Sequence, residues 1–329
     1  MKKVLGIGNA LTDILLQINN DLLLKQLNLP KGSMQLVDEK KQSEISDSFK
    51  HEKPKMITGG SASNTINGIS RLGGKAGFIG KVGKDEIGKF YISNSLHNGV
   101  EPHIYESEIP SGCCLVLVSA DGERTMCTFL GAAAELEGDE LTPDLFDGYG
   151  ILHIEGYLVQ NHNLVQSAMQ LAKKAGLLIS IDLASYNIVD DNLSFLKEIV
   201  ENHVDIVFAN EEEARSFTGK EPLEALDELA KQAPIAIVKV GKGGSHIKSG
   251  SNIYHIEARE SNCVDTTGAG DLYAAGFLYG LSCNYPLDVC GKIGSLVAGN
   301  VVETVGAKMD EGVWEMIHRE TKKIQQLKI

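Results

Sequence analysis

The chain has 329 residues, of which 43% are hydrophobic and 23% charged, and this length suits a globular enzyme with one large buried core. Its formal net charge of -13 excludes nucleic acid as the expected partner, because nucleic-acid binding depends on a basic surface. No stretch approaches the roughly 18 consecutive apolar residues of a membrane span, and the apolar start is too short for a signal peptide, so we expect a cytoplasmic protein without membrane contact.

The predicted elements begin with a short apolar strand at residues 4–8. Further along, apolar runs alternate with amphipathic stretches, and these occupy residues 150–155, 164–174, 177–181, 193–201, 205–208 and 211–217. Such alternation is typical of a parallel sheet with helices on both faces. Another buried strand at 234–240 leads through a glycine turn into a hairpin at 245–256. We therefore predict an α/β fold with a three-layer α/β/α core and a mainly parallel central sheet.

Two segments, at about residues 15–36 and 101–129, do not follow this alternation. The second contains apolar runs on either side of the turn Asp121-Gly122, which predicts a hairpin. Together the two segments predict a small β appendage inserted in the core. Because no linker or repeat divides the sequence, we expect a single domain over residues 1–329.

The most informative motif is Asp-Thr-Thr-Gly-Ala-Gly-Asp at residues 265–271, directly before an amphipathic helix. Gly268, Ala269 and Gly270 carry little or no side chain, so backbone N–H groups and the positive end of the helix dipole can form an anion hole for a phosphoryl group. Asp271 beside this hole can accept the proton of an attacking hydroxyl group. The alternative is an Asp that only caps a helix.

Two polar loops near the N-terminus are predicted to bind the substrate. Gly59 and Gly60 allow a ligand to approach the backbone, and Asn64 can donate to and accept from hydroxyl groups. Asn9 and Asp13 follow the first strand, at the edge where parallel sheets bind ligands, and a carboxylate there can bridge two sugar hydroxyls. Either loop could instead be a plain turn.

Two later strand ends carry candidate nucleotide-binding residues. Asn210 and Glu213 follow the strand at 205–208, where Glu213 could order Mg²⁺ through water or serve only as a helix first-turn residue. Lys242 and Gly243 follow the next strand and could contact ATP phosphates or ribose. A hairpin turn without such a role is the alternative for this second pair.

These motifs, in this order, resemble the ribokinase or phosphofructokinase-B family of carbohydrate and nucleoside kinases. The resemblance extends from Gly8 to about Gly306 and implies ATP and Mg²⁺ as cofactors. It implies that residues 265–271 hold the anion hole and the base, and that the motifs at 59–64 and 210–213 bind substrate and tune Mg²⁺. It also implies a β lid, built from the two irregular segments, that closes over the substrate and excludes water.

The resemblance further implies two less visible sites. Many members of the family need a monovalent cation such as K⁺ held near the anion hole, and Asp265, Thr267 and the region of Gly306 are the matching residues, with Thr267 also next to the nucleotide. Adenine contacts are expected around the helix that starts near Pro286, where Asn300 is the candidate.

Within the family, the Asn-Ala-Leu-Thr-Asp sequence at 9–13 and the Arg-Thr-Met sequence at 124–126 look like adenosine kinases. This likeness implies phosphotransfer from ATP to the 5′-hydroxyl of a nucleoside, converting adenosine to AMP in purine salvage. A kinase for ribose, fructose or 2-keto-3-deoxygluconate is the alternative within the family. A non-catalytic nucleoside-binding module is the alternative from another class. The absence of G-x-G-x-x-G at the first strand argues against a dehydrogenase. Monomer and homodimer both stay open.

Overall fold

The computed structural model describes residues 1–18, 21–49, 54–119 and 123–326. The strands are β1 (Lys3–Ile7), β2 (Leu11–Gln17), β3 (Met34–Leu36), β4 (Lys55–Gly59), β5 (Ala76–Gly83), β6 (Val100–Ser107), β7 (Cys113–Val118), β8 (Arg124–Phe129), β9 (Tyr149–Glu155), β10 (Leu178–Asp182), β11 (Ile206–Asn210), β12 (Ile235–Lys239), β13 (Ser245–Ser249) and β14 (Asn252–Ile256). The helices are α1 (Leu22–Gln26), α2 (Glu39–Asp47), α3 (Ser61–Arg71), α4 (Glu86–His97), α5 (His162–Lys174), α6 (Tyr186–Asp191), α7 (Leu193–His203), α8 (Glu211–Thr218), α9 (Pro222–Gln232), α10 (Ala269–Ser282), α11 (Leu287–Val301) and α12 (Glu311–Gln326).

Nine strands form the central sheet in the order β14-β13-β12-β11-β10-β9-β1-β5-β6. Seven are parallel, and β13 and β14 add an antiparallel hairpin at one edge. Alternate strand residues enter two separate cores, so Val4 belongs to the core that includes α3, α10, α11 and α12, whereas Leu5 belongs to the core that includes α5, α7, α8 and α9. The prediction of an α/β fold with a mainly parallel sheet between two helix layers is confirmed.

A second sheet has the strand order β3-β8-β7-β2-β4. Its outer face carries a small core of its own, in which side chains such as Leu16 and Leu115 pack under Leu24 of α1 and Ile45 of α2. Its boundaries differ from the predicted 15–36 and 101–129. Strands β2 and β4 belong to it, whereas β6 pairs with β5 at the edge of the central sheet.

The predicted hairpin is present as the antiparallel pair β7 and β8, whose turn at 121–122 lies outside the described residues. Strand β6 was wrongly predicted to belong to the appendage. An edge strand of a sheet is partly exposed, so its sequence resembles that of an appendage strand. Among the described residues, no helix combines the length and apolar character that crossing a membrane requires.

Candidate active site

The predicted catalytic aspartate lies where α10 begins. Gly268, the residue before this helix, has φ 76°, and a Cβ there would lie 2.4 Å from the Cβ of Ala307. Both the left-handed backbone and the close approach therefore require glycine. Asp271 is the third residue of the helix and so lies in its first turn, partly exposed beside the glycine turn.

Two side chains from α3 hold the carboxylate of Asp271. The hydroxyl of Ser61 donates to Oδ1 at 2.7 Å, and the amide of Asn64 donates to Oδ2 at 2.9 Å. Burial raises the pKa of Asp271 to about 6, while these two hydrogen bonds and Lys239 act in the opposite direction. The result is an oriented carboxylate that is ionised at neutral pH and retains useful basicity.

The turn before α10 has the features of an anion site, with one difference from the prediction. The amide of Ala269 donates to the carbonyl of Thr266 at 3.1 Å, so this one of the three amides is engaged within the turn. The ammonium of Lys239 adds a positive charge close to this turn. A Cβ placed on Gly270 would lie 3.1 Å from its Nζ. Helix dipole and lysine together favour a phosphate group at this place.

Asp13 lies in the middle of β2 rather than in the predicted loop. Its carboxylate lies against Gly59 so closely that a Cβ on Gly59 would be 2.7 Å from Oδ1. Burial raises the pKa of Asp13 to about 6, and the positive charges of Lys308 and Arg124 partly offset this effect. Gly60 has φ 91° and caps α3, and a Cβ there would meet the carbonyl of Asn9 at 2.2 Å. The glycine pair therefore brings β2 and α3 together.

Asn9 is buried, and its side chain contacts the protein rather than the open cleft. Its amide donates to Oε1 of Glu155 at 2.6 Å, and the backbone amide of Ala62 donates to the other oxygen at 3.1 Å. Burial raises the pKa of Glu155 to about 7. In this structure Asn9 and Glu155 fix the start of α3, which carries Ser61 and Asn64, and direct substrate binding by Asn9 stays a prediction.

Asn210 and Glu213 form a reciprocal cap at the start of α8. The side-chain oxygen of Asn210 accepts from the Glu213 amide at 2.9 Å, while Asn210 donates to both carboxylate oxygens at 2.7 Å. Burial raises the pKa of Glu213 to about 7. Among the described residues, no group of three or more His, Cys, Asp or Glu side chains could hold a metal ion. The donor set therefore fits Mg²⁺ only through water and a bound phosphate chain.

A cleft of about 530 Å³ extends from the start of α10 along α11, with a largely apolar wall. It is lined by Lys239, Gly241, Lys242, Gly244, Ala258, Arg259, Glu260, Ser261, Cys263, Thr266, Ala269, Gly270, Tyr273, Ser295, Ala298, Gly299 and Val302. The cleft thus includes Lys242, and Gly243 lies in the same short turn. Asn300 does not line this cleft, because its side chain is buried and donates to the carbonyl of Leu296 at 2.7 Å, so a nucleotide contact by Asn300 stays a prediction.

The carboxylate of Asp265 forms an ion pair with Arg124 of β8 in the second sheet. Its Oδ2 accepts from Nη1 of Arg124 at 2.5 Å and from the Gly306 amide at 2.7 Å, while Oδ1 accepts from the Thr267 amide at 2.9 Å. These donors hold the pKa of Asp265 below its usual range despite partial burial. The carboxylate of Asp265 is thus committed to protein donors, so a cation here would depend on backbone carbonyls.

Sequence reasoning missed several residues of this site. Glu155, Asp182 and Lys239 are single charged residues that end largely apolar strands, and this pattern could have marked them as candidates, although not which residues they contact. Ser61 and Lys308 had no such signal, because their roles depend on which distant segments meet. Lys308 donates to Thr58 at 3.0 Å, and burial lowers its pKa to about 8.

Comparisons with known proteins identify the family of this chain. A model of the pfkB family of carbohydrate kinases matches residues 32–311. The structure of a probable sugar kinase from Rhizobium etli CFN 42 is 32% identical, covers 97% of this chain and 98% of its own, and superposes with a TM-score of 0.85. The structure of adenosine kinase from Sinorhizobium meliloti is also 32% identical, with coverage of 97% and 99% and a TM-score of 0.85. Adenosine kinase 2 from Arabidopsis thaliana is 27% identical over 94% of this chain and 96% of its own.

Proposed function

Since the chain belongs to the pfkB family of carbohydrate kinases, we propose that it transfers the γ-phosphoryl group of ATP to the 5′-hydroxyl of a nucleoside, with adenosine as its preferred acceptor. Asp271 accepts the proton of that hydroxyl as its oxygen attacks the γ-phosphorus, the bond from this phosphorus to the β,γ-bridging oxygen breaks, and ADP leaves with that oxygen. The turn at 268–270 stabilises the charge on the transferred group.

One observation carries this proposal: the carboxylate of Asp271 is fixed by Ser61 and Asn64 beside the N-terminus of α10. A base must be held still next to the place where charge develops, and here one helix start supplies the anion site and another orients the base. The Oδ1 atom of Asn64 is buried without a protein partner among the described residues, so the protein leaves one hydrogen-bond acceptor unsatisfied next to the base.

The cleft beside α10 supports ATP as the phosphoryl donor. Its apolar wall, including Ala298 and Val302, suits a purine base, while Lys239 and Lys242 lie near its polar end. Mg²⁺, when bound with the nucleotide, neutralises phosphate charge, and Glu213 would orient its water shell from the start of α8. Closure of the second sheet, which carries Asp13 and Arg124, would exclude water from the reacting groups.

The choice of a nucleoside rests on the spacing of Asn9 and Asp13 and on likeness along the whole chain to proteins named adenosine kinases. Asp13 would accept hydrogen bonds from two neighbouring ribose hydroxyls. A sugar kinase is the second candidate, and the equally similar probable sugar kinase from Rhizobium etli favours it.

The test is ADP formation from Mg-ATP with adenosine, inosine, guanosine, ribose, fructose and 2-keto-3-deoxygluconate, each with and without K⁺. The proposal predicts that adenosine gives a kcat/KM at least about tenfold above that of any free sugar. Turnover with a free sugar alone would retain the kinase chemistry and reject the nucleoside. Dependence of the rate on K⁺ would support the monovalent-cation site near Asp265.

A further inference from the structure

Lys239 and Asp182 form an ion pair across the carboxyl edge of the central sheet. Lys239 ends β12 and Asp182 ends β10, with β11 between them, and Nζ lies 2.7 Å from Oδ2. The two side chains are only 15% and 9% exposed. Removing a charged pair from water costs desolvation free energy that packing does not recover. The position of this pair next to the cleft is therefore evidence about its role.

The lysine lies at the polar end of the nucleotide cleft. Its Nζ would be 3.1 Å from a Cβ on Gly270, which places it next to the first turn of α10. A cation beside the positive end of a helix dipole is unfavourable unless an anion is shared between them. Asp182 holds the cation from the sheet side, and the side toward the cleft is where an anion would complete the arrangement.

Lys239 is charged at neutral pH. Burial lowers its pKa, but Asp182 and Glu213 outweigh this effect and hold it above the ordinary value. The other titratable groups facing it are Asp271 of α10 and His153 of β9. A permanent cation among these groups can neutralise part of an incoming phosphate chain.

We propose that Lys239 binds the phosphate chain of the nucleotide directly, and that Asp182 is the positioning residue that aims its ammonium at the turn 268–270. The inference rests on the proposed use of ATP and adds a side-chain ligand to the backbone amides and helix dipole of that turn. The competing explanation is that Lys239 only balances the charge of Asp182 and Glu213.

The experiment measures equilibrium binding of MgADP and of inorganic tripolyphosphate by calorimetry, without turnover. The variants are Lys239→Met, the charge-retaining Lys239→Arg, and the double variant Asp182→Asn/Lys239→Met. The double variant removes both charges, so that Asp182 is not left unpaired, and it replaces Lys239→Met if that variant folds poorly. Lys248→Met is the matched control, because Lys248 of β13 pairs with Asp227 of α9 at 2.5 Å and does not line the cleft. Thermal unfolding of each variant checks that it is folded.

We expect Lys239→Met and the double variant to bind both ligands at least about tenfold more weakly, Lys239→Arg to recover part of the loss, and Lys248→Met to bind within about twofold of the parent. The acid limb of kcat should also move to higher pH in Lys239→Met, since Lys239 lowers the pKa of Asp271. If the folded double variant binds both ligands as the parent does, the inference about Lys239 is overturned, while the proposed use of ATP is unaffected. Failure of the parent protein to bind MgADP or tripolyphosphate would reject the proposed use of ATP as well.

Discussion

The side-chain amide of Asn64 donates to Oδ2 of Asp271 at 2.9 Å, although 207 positions separate the two residues in the sequence. This contact joins the start of α3 to the start of α10. The predicted substrate motif at 59–64 and the predicted catalytic motif at 265–271 are therefore joined by a hydrogen bond. A change at Asn64 should be measurable as a change in the pKa of Asp271.

Replacing Asn64 with Ala should raise the pKa of Asp271 above its value of about 6, because a hydrogen bond to the charged form is lost. The acid limb of the kcat profile should shift upward by about one pH unit, with a lower kcat at pH 7. The measurement is a pH–rate profile with saturating substrates. Asn202→Ala, at an exposed position of α7, is the control, and an unchanged acid limb in Asn64→Ala would contradict the account.

Gly59→Ala should displace the carboxylate of Asp13, since the new Cβ would lie 2.7 Å from Oδ1. We expect KM for the acceptor to rise by about tenfold or more, as in Asp13→Asn, while KM for ATP changes little. Steady-state kinetics with each substrate varied separate these effects. Gly312→Ala is the control because its nearest contact is 3.5 Å. Equal changes in both KM values would show that Asp13 does not act on the acceptor alone.

Sequence predicted the parts of this site that depend on local pattern. Gly268 and Asp271 could be placed because a glycine turn and an amphipathic helix lie next to each other in the chain. The contacts of Lys239 and Glu155 could not be placed, because the partners of a charged strand end come from distant segments whose order is set by the topology. Strand β2 was missed for a related reason. A charged residue such as Asp13 is typical of a loop, and its place inside a strand depends on pairing with the distant strands β4 and β7.

Glu155→Gln should make stability less dependent on pH. Burial raises the pKa of Glu155 from 4.5 to about 7, so the folded state binds more protons than the unfolded state between these values. This contribution is present below pH 4.5 and is lost as the pH rises through 7, with a slope of up to about 1.4 kcal/mol per pH unit. Urea denaturation from pH 5 to 8 should show a shallower decline in Glu155→Gln. The exposed Glu315→Gln should follow the parent, and an unaltered slope in Glu155→Gln would contradict the assignment.

The pair Arg124–Asp265 should couple the second sheet to the catalytic motif. Its side chains are 15% and 13% exposed, so the interaction is poorly screened. A double-mutant cycle with Arg124→Ala and Asp265→Asn should give a coupling free energy of unfolding of about 1 kcal/mol or more. The exposed pair Arg215–Glu221 is the matched control and should give less than about 0.5 kcal/mol. Similar values for the two pairs would show that no special link exists.

The most direct test of the central claim is Asp271→Asn, assayed for ADP formation with adenosine and, in parallel, for adenosine binding. Asn keeps the size of the side chain but cannot accept the proton at neutral pH. The account predicts a fall in kcat of about 10² to 10⁴ with a dissociation constant within a few-fold of the parent. Glu311→Gln, at an exposed side chain in the first turn of α12, should keep the parent rate. Undiminished turnover by Asp271→Asn would contradict its role as the base, and binding without turnover in the parent itself would identify a binding module rather than a kinase.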